Sequence, residues 1–247
     1  GIELWKTNGT IPGTLLVKSI PADLNARPVS IGNTVYFASD NELWKSDGTE
    51  TGTALVFDID EPIMRLATAG NLVYIVTSSP LSDDRKLWRS DGTDAGTFAI
   101  NTNFKNVNGV TEIENFCDFN GDLYFSANEG INGTELWKSN GTIAGTVMVK
   151  DITPGSNGSY LSSLTPFSGK LFFSYSDGLE SAIWSTDGTE SGTSEFKKFT
   201  NGAGEFTVVN ETLYFTASEA GTGTELWKSD GTSGGTSMIK DIYPGPE

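Results

Sequence analysis

Every tryptophan in this 247-residue chain stands in the same short phrase, and there are six of them. The phrase reads ELWKTNGT around Trp5, ELWKSDGT around Trp44, KLWRSDGT around Trp88, ELWKSNGT around Trp137, AIWSTDGT around Trp184 and ELWKSDGT around Trp227. Successive tryptophans are 39 to 49 residues apart. Self-similarity at that period means a repeat architecture, in which a unit too small to bury its own apolar face buries it on its neighbours.

Between the copies lies a second recurring run: NTVYFAS from Asn33, NLVYIVT from Asn71, GDLYFSA from Gly121, GKLFFSY from Gly169 and ETLYFTA from Glu211. A less regular stretch precedes each, around Pro28 to Ile31, Ile63 to Leu66, Ile113 to Phe119, Leu161 to Phe167 and Phe206 to Val209, and a VKDI-like strand follows each DGT turn. Four short strands per unit, joined by tight Gly/Asn/Asp turns and free of any helical period, predict an all-β fold, a β-propeller of four-stranded antiparallel blades. Leu and Trp are adjacent in ELWKS and so point to opposite faces of the sheet. A blade between two neighbours is expected to bury both. The expected strand order is the variable stretch innermost and lining a channel, then LYFSA, then ELWKS, then VKDI; an open solenoid of the same units is the alternative.

The chain enters at ELWK and stops at DIYPGPE, so six ELWKS/VKDI pairs face only five variable/LYFSA pairs. The expectation is a single domain over residues 1–247 with six blade positions, one of them a half-blade, or five blades with a spare hairpin. One edge of the first ELWK strand is then unpaired and open to self-association.

Composition narrows the function. There is no histidine and one cysteine, Cys117, which removes His-based triads, His metal sites, CxxC pairs and an intrachain disulfide. The net charge of −16 makes nucleic acid and anionic membranes poor partners. No apolar run is long enough to span a bilayer, so membrane insertion is not expected, and the chain reads as a piece of a longer polypeptide.

Each motif also has a plain structural reading. Asp47, Asp91, Asp187 and Asp230 in the DGT turns suggest calcium, but Asn8 and Asn140 fill the same slot, and Asp and Asn share turn capping rather than charge. A second acidic slot, Asp58, Asp151 and Asp241, is Ser19, Thr102 and Lys198 in the other copies. No metal and no cofactor is expected. The six tryptophans suggest a lectin, yet a mid-strand Trp beside Leu is foremost an inter-blade packing residue. Sugar-binding aromatics are better sought in loops, where Tyr160, Tyr175 and Tyr243 are expected and do not repeat. Carboxylates for a glycosidase exist on the variable stretches as Glu114, Asp118, Glu205 and Glu211, without a recognisable pair. Arg27 and Arg65 lie near the same stretches and make no cluster for an anionic substrate. Asn8, Asn132, Asn140, Asn157 and Asn210 begin Asn-x-Ser/Thr triplets, and Cys117 reads as a buried small apolar residue.

The chain resembles the ELW-x-x-DGT repeat proteins, a bacterial group of large secreted or surface-exposed polypeptides. The resemblance runs over nearly the whole chain; four copies keep the Asp of Asp-Gly-Thr, and the copy at Trp184 has Ile183 for Leu and Ser185 for the usual base. It implies an extracellular or cell-surface repeat module and no activity. The expected function is non-catalytic scaffolding or adhesive binding to a cell-surface glycan or protein, with a glycan-binding lectin and a carboxylate glycosidase as alternatives. No catalytic residue is assigned.

Overall fold

The computed structural model describes residues 2–20, 26–79, 84–105, 113–156, 158–242 and 244–245. Among them every regular element is a β-strand. The chain opens with a hairpin, β1 (Ile2–Lys6) and β2 (Leu15–Ile20). Five four-stranded sheets follow in chain order. They are β3 (Val29–Ile31), β4 (Thr34–Ser39), β5 (Glu42–Ser46) and β6 (Ala54–Asp58); then β7 (Ile63–Ala69), β8 (Leu72–Ser78), β9 (Arg85–Ser90) and β10 (Phe98–Phe104). Next come β11 (Glu114–Phe119), β12 (Asp122–Asn128), β13 (Thr134–Ser139) and β14 (Val147–Lys150); then β15 (Tyr160–Phe167), β16 (Lys170–Ser176), β17 (Ser181–Thr186) and β18 (Ser194–Phe199). The last are β19 (Ala203–Val209), β20 (Thr212–Glu219), β21 (Gly223–Ser229) and β22 (Ser237–Lys240).

Strands adjacent in sequence are adjacent in each sheet and run antiparallel, the order expected from the variable, LYFSA, ELWKS and VKDI phrases. Tight turns make this order. The residue that opens the turn after the first strand has positive φ in every four-stranded sheet, as Gly32, Gly70, Asn120, Ser168 and Asn210, where glycine or a short polar side chain tolerates the left-handed region.

The described residues form two compact units, one within 1–110, 120–123 and 140–146, the other within 111–119, 124–139 and 147–247. In the first, the Leu43 face of the β3–β6 sheet, with Tyr36, Val56 and Ile59, packs on Val73, Ile75 and Trp88 of the next sheet. In the second, Leu136 and Val149 pack on Leu171, Phe173 and Trp184. Ile183 and Phe172 then pack on Phe215, Ala217 and Trp227. One rule covers these junctions: the Leu face of a repeat seats on the Trp face of the repeat that follows. A register shift between Leu and Trp recurs in four of the sheets and in the hairpin. The extra last-strand residue at that bulge turns to the Leu face, and Val17, Val56 and Val149 are buried there.

The opening hairpin obeys the same rule, with Val17 and Ile20 buried and Lys18 over the Trp44 ring at 5.9 Å. It therefore occupies a repeat position as a half-blade rather than lying as a spare. The expectation that each repeat buries both Leu and Trp fails at two of them. Trp5 is 52% exposed and Leu226 is 38% exposed, because a face is covered only where a neighbouring repeat lies over it. Trp44, Trp88 and Trp184 are half-buried, whereas Trp137 and Trp227 are buried.

Candidate functional site

The DGTxxGT turns come first, since they carry most of the recurring polar groups. In the second copy Asp47 Oδ1 accepts from Thr49 N at 2.9 Å and from Thr49 Oγ1 at 2.7 Å. Thr49 Oγ1 in turn accepts from Gly52 N, and Thr53 Oγ1 donates to Thr49 O. Ser46 Oγ meets Thr53 Oγ1 and accepts from Gly48 N, which closes the circuit. The Asp91, Asp187 and Asp230 turns repeat the pattern. Asn8 and Asn140 do the same through the amide oxygen. The Thr49 hydroxyl and amide hold the Asp47 carboxyl below its ordinary range, and the other three aspartates are lowered by the equivalent threonines. These acids are turn caps, as the Asn substitutions imply. The second glycine is a requirement of the same circuit: a Cβ on Gly52 would lie 2.0 Å from Asp47 Oδ1.

The turn of one repeat is also stitched to the repeat before it. Lys6, Lys45 and Lys138 donate to the carbonyls of Gly48, Gly92 and Gly188 at 2.7, 2.8 and 2.7 Å. Tyrosine hydroxyls lie over the same glycines: a Cβ on Gly92 would be 2.4 Å from the Tyr36 hydroxyl, and one on Gly188 would be 2.3 Å from that of Tyr124. Here glycine is needed both for a φ near +90° and for this close approach. The base in ELWKS and the Tyr in LYF are thus junction residues, a role that sequence reading missed. The signal was their recurrence together with the DGT glycine.

A buried carboxylate was missed as well. Glu135 is fully buried, and it accepts from Ile152 N, Thr153 N and Ser159 Oγ, tying down the loop after β14. Burial pushes its carboxyl up to about 7, with the nearby Asp151 charge adding to the rise and the three hydrogen bonds opposing it. Glu225 is buried in the same slot and accepts from Ile242 N. The two copies share GTELWKS and KDI-x-PG, and that paired context marks them in the sequence. Asp151 and Asp241 belong to this loop, whereas Asp58 accepts from Asn41 Nδ2 and Asp60 N, and Lys198 pairs with Glu180. Ser19 lies in β2, and the Thr102 side chain lies outside the described residues.

The non-recurring residues sort differently. Tyr160 is 66% exposed, but it opens strand β15 rather than lying in a loop. Tyr175 is not a loop residue: it lies in β16, half-buried, its ring 5.6 Å from that of Trp184 and its hydroxyl bonded to Thr153. Tyr243 and Asn157 lie outside the described residues. Asn132 donates to Glu129, and Asn210 is a turn residue of positive φ. Cys117 is half-buried rather than buried, donates to Asp118 O, and burial pushes its thiol up to about 11, so it is a poor nucleophile.

Glu114 and Asp118 lie on β11, Glu205 on β19 and Glu211 in the β19–β20 turn, in two different sheets with β15 between β11 and β19. Asp118, Glu205 and Glu211 are exposed. Five residues ahead of the positive-φ turn residue stand Arg27, which precedes β3, Arg65 in β7, Asn115 in β11, Ser163 in β15 and Glu205 in β19. In the second unit, Asn115, Ser163 and Glu205 have φ of 57, 56 and 57°, with ladder bulges beside Ser163 and Glu205. Non-glycine residues in that region are costly, and they are retained where a side chain must be re-aimed. Asn115 reaches the next sheet, donating to Leu161 O at 2.7 Å.

No protein-family model and no curated protein sequence matches the chain. Solved structures similar to it include the following two. One is a puromycin hydrolase complexed with PGG, at 12% identity and a TM-score of 0.55, covering 99% of this chain and 42% of that one. The other comes from an analysis of two prolyl endopeptidases, at 14% identity and a TM-score of 0.56, covering 90% of this chain and 34% of that one. The chain therefore spans less than half the length of each of these structures, and the likeness is one of fold: the sequential four-stranded sheets are those of a β-propeller.

Proposed function

We propose that the chain is a non-catalytic propeller module of a secreted or cell-surface protein, a scaffold that presents an adhesive binding surface for a glycan or protein. One observation carries this reading. The polar groups that recur are engaged in turn closure and inter-repeat stitching, while within the second unit the bulged first-strand register varies, with Asn115 turned to the next sheet, Ser163 half-buried and Glu205 exposed. A frame held constant around one variable register is the pattern of a recognition surface on a rigid support.

The test is a screen of the immobilised chain on a glycan array and on intact cells, beside turnover assays with aryl glycosides and peptides. Binding that falls about tenfold or more in Glu205→Arg, with an unchanged melting temperature, is the expected result. Hydrolysis of a glycoside or peptide that disappears in Glu205→Gln or Asp118→Asn would replace this reading with catalysis.

A further inference from the structure

In the second unit three hydroxyls stand in a row between two carboxylates. Ser159 Oγ donates to Glu135 Oε1 at 3.1 Å, Thr153 Oγ1 lies 3.0 Å from Ser159 Oγ, and the Tyr175 hydroxyl lies 2.9 Å from Thr153 Oγ1. Beyond Tyr175 stands Asp177, whose carboxylate interacts with the Tyr175 hydroxyl. The row therefore runs from a carboxylate that is 0% exposed to one on a surface turn, where Asp177 Oδ1 accepts from the amides of Leu179 and Glu180 at 2.8 and 2.7 Å. An ionised carboxylate only accepts, and a hydroxyl has one proton to give. Two carboxylates joined through three hydroxyls make four links with three protons, so one link is empty when both acids are ionised. A fourth proton fills it.

We propose that Glu135 and Asp177 share one proton through Ser159, Thr153 and Tyr175, and that its uptake ties the turn at 177–180 to the loop after β14. The proton comes from solvent and enters at Asp177, which passes it to the Tyr175 oxygen. Tyr175, Thr153 and Ser159 each hand on their own proton, which leaves Glu135 protonated and Asp177 ionised again. Every hydroxyl then points the other way, and Tyr175 donates to Asp177 instead of Thr153. The two ends suit these roles. The amides of Glu180 and Leu179 hold the Asp177 carboxyl below its ordinary range, whereas burial raises that of Glu135. Burial also raises the Tyr175 phenol, which stays a hydroxyl. The charges that face the row are acidic, Asp151 beside Glu135 and Asp177 at the far end. The lysines around it are engaged elsewhere: Lys138 of β13 with the Gly188 carbonyl, Lys150 of β14 with the Glu190 carbonyl, and Lys198 with Glu180.

Carbon-13 NMR of the side-chain carboxyls of the whole chain, titrated between about pH 4 and 9, tests this. In the wild type Asp177 is expected to show a second inflection at the pH where Glu135 titrates, because a shared proton is felt at both ends. Tyr175→Phe removes a link and no charge. It should weaken proton binding at Glu135 about tenfold, a shift of about one pH unit, and abolish the Asp177 inflection. Asp177→Asn should weaken it likewise, since a carboxamide donates to Tyr175 and fills the fourth link without a proton. Glu180→Gln removes an acid from the same turn but off the row, and should leave the Glu135 midpoint in place. Melting curves check that the variants fold, and the wild-type inflection needs no variant. A Glu135 midpoint unmoved in Tyr175→Phe overturns the proposal, as does an Asp177 carboxyl that ignores the Glu135 titration. A shift in Glu180→Gln equal to that in Asp177→Asn assigns the effect to charge alone and overturns it too.

Discussion

At the scale of single residues, the DGTxxGT turn shows why a short motif survives six times while its acid does not. Its Asp contributes an acceptor oxygen, which Asn also has, whereas the second glycine has no substitute because the acceptor lies on its Cα. Gly52→Ala is expected to destabilise by about 1–3 kcal/mol through overpacking. Adding Asp47→Ala should recover part of that loss, so denaturant midpoints of the two single variants and the double variant give a non-additive cycle. Glu135 supplies a second residue-scale prediction. Its folded carboxyl titrates near 7, above the ordinary value of 4.5, so the folded state holds the proton more tightly than the unfolded chain. The stability this gives is fully present below about pH 4.5 and is lost as the pH rises through about 7, by up to about 3 kcal/mol. Urea unfolding at pH 4.5 and 8 measures the slope, and Glu135→Gln should flatten it.

At the scale of elements, identical phrases acquire different values from what lies over them. The ELWKS strand has the same sequence pattern in the hairpin and in β13, yet Trp137 is 6% exposed and Trp5 52%. Trp137→Ala should cost about 3–5 kcal/mol, the range for a large core aromatic, and Trp5→Ala less than about 1 kcal/mol. Equal losses in thermal unfolding would contradict the junction rule. The strand order, the hairpin turns and the Leu-face/Trp-face alternation could be read from the phrases, because each is a local consequence of period-two geometry and turn chemistry. The first-strand bulges could not. Asn115, Ser163 and Glu205 share no residue type, and their common φ is imposed by the ladder and the adjoining sheet.

At the scale of the whole molecule, the charge acts as a background against which the cores hold. With 32 acidic side chains against 16 basic ones, self-repulsion weakens the folded state at low ionic strength. The melting temperature should therefore rise between about 10 and 150 mM sodium chloride, over which the Debye length falls from roughly 30 to 8 Å, and a flat calorimetric response would show that self-repulsion does not limit the fold. The sequence by itself determined the repeat, the four-strand unit and the turn role of Asp47 and its equivalents, since all of these depend on residues close together in the chain. Only the tertiary structure decided which tryptophans are covered, that Lys45 and Tyr36 belong to the junction with the next repeat, that Glu135 is buried with its carboxyl raised above the ordinary value, and that Asn115, Ser163 and Glu205 share one left-handed backbone conformation. Those properties depend on contacts between residues far apart in the chain, with the neighbouring repeat for Lys45 and with the loop after β14 for Glu135, and a strand's own period-two pattern does not encode what is placed over it.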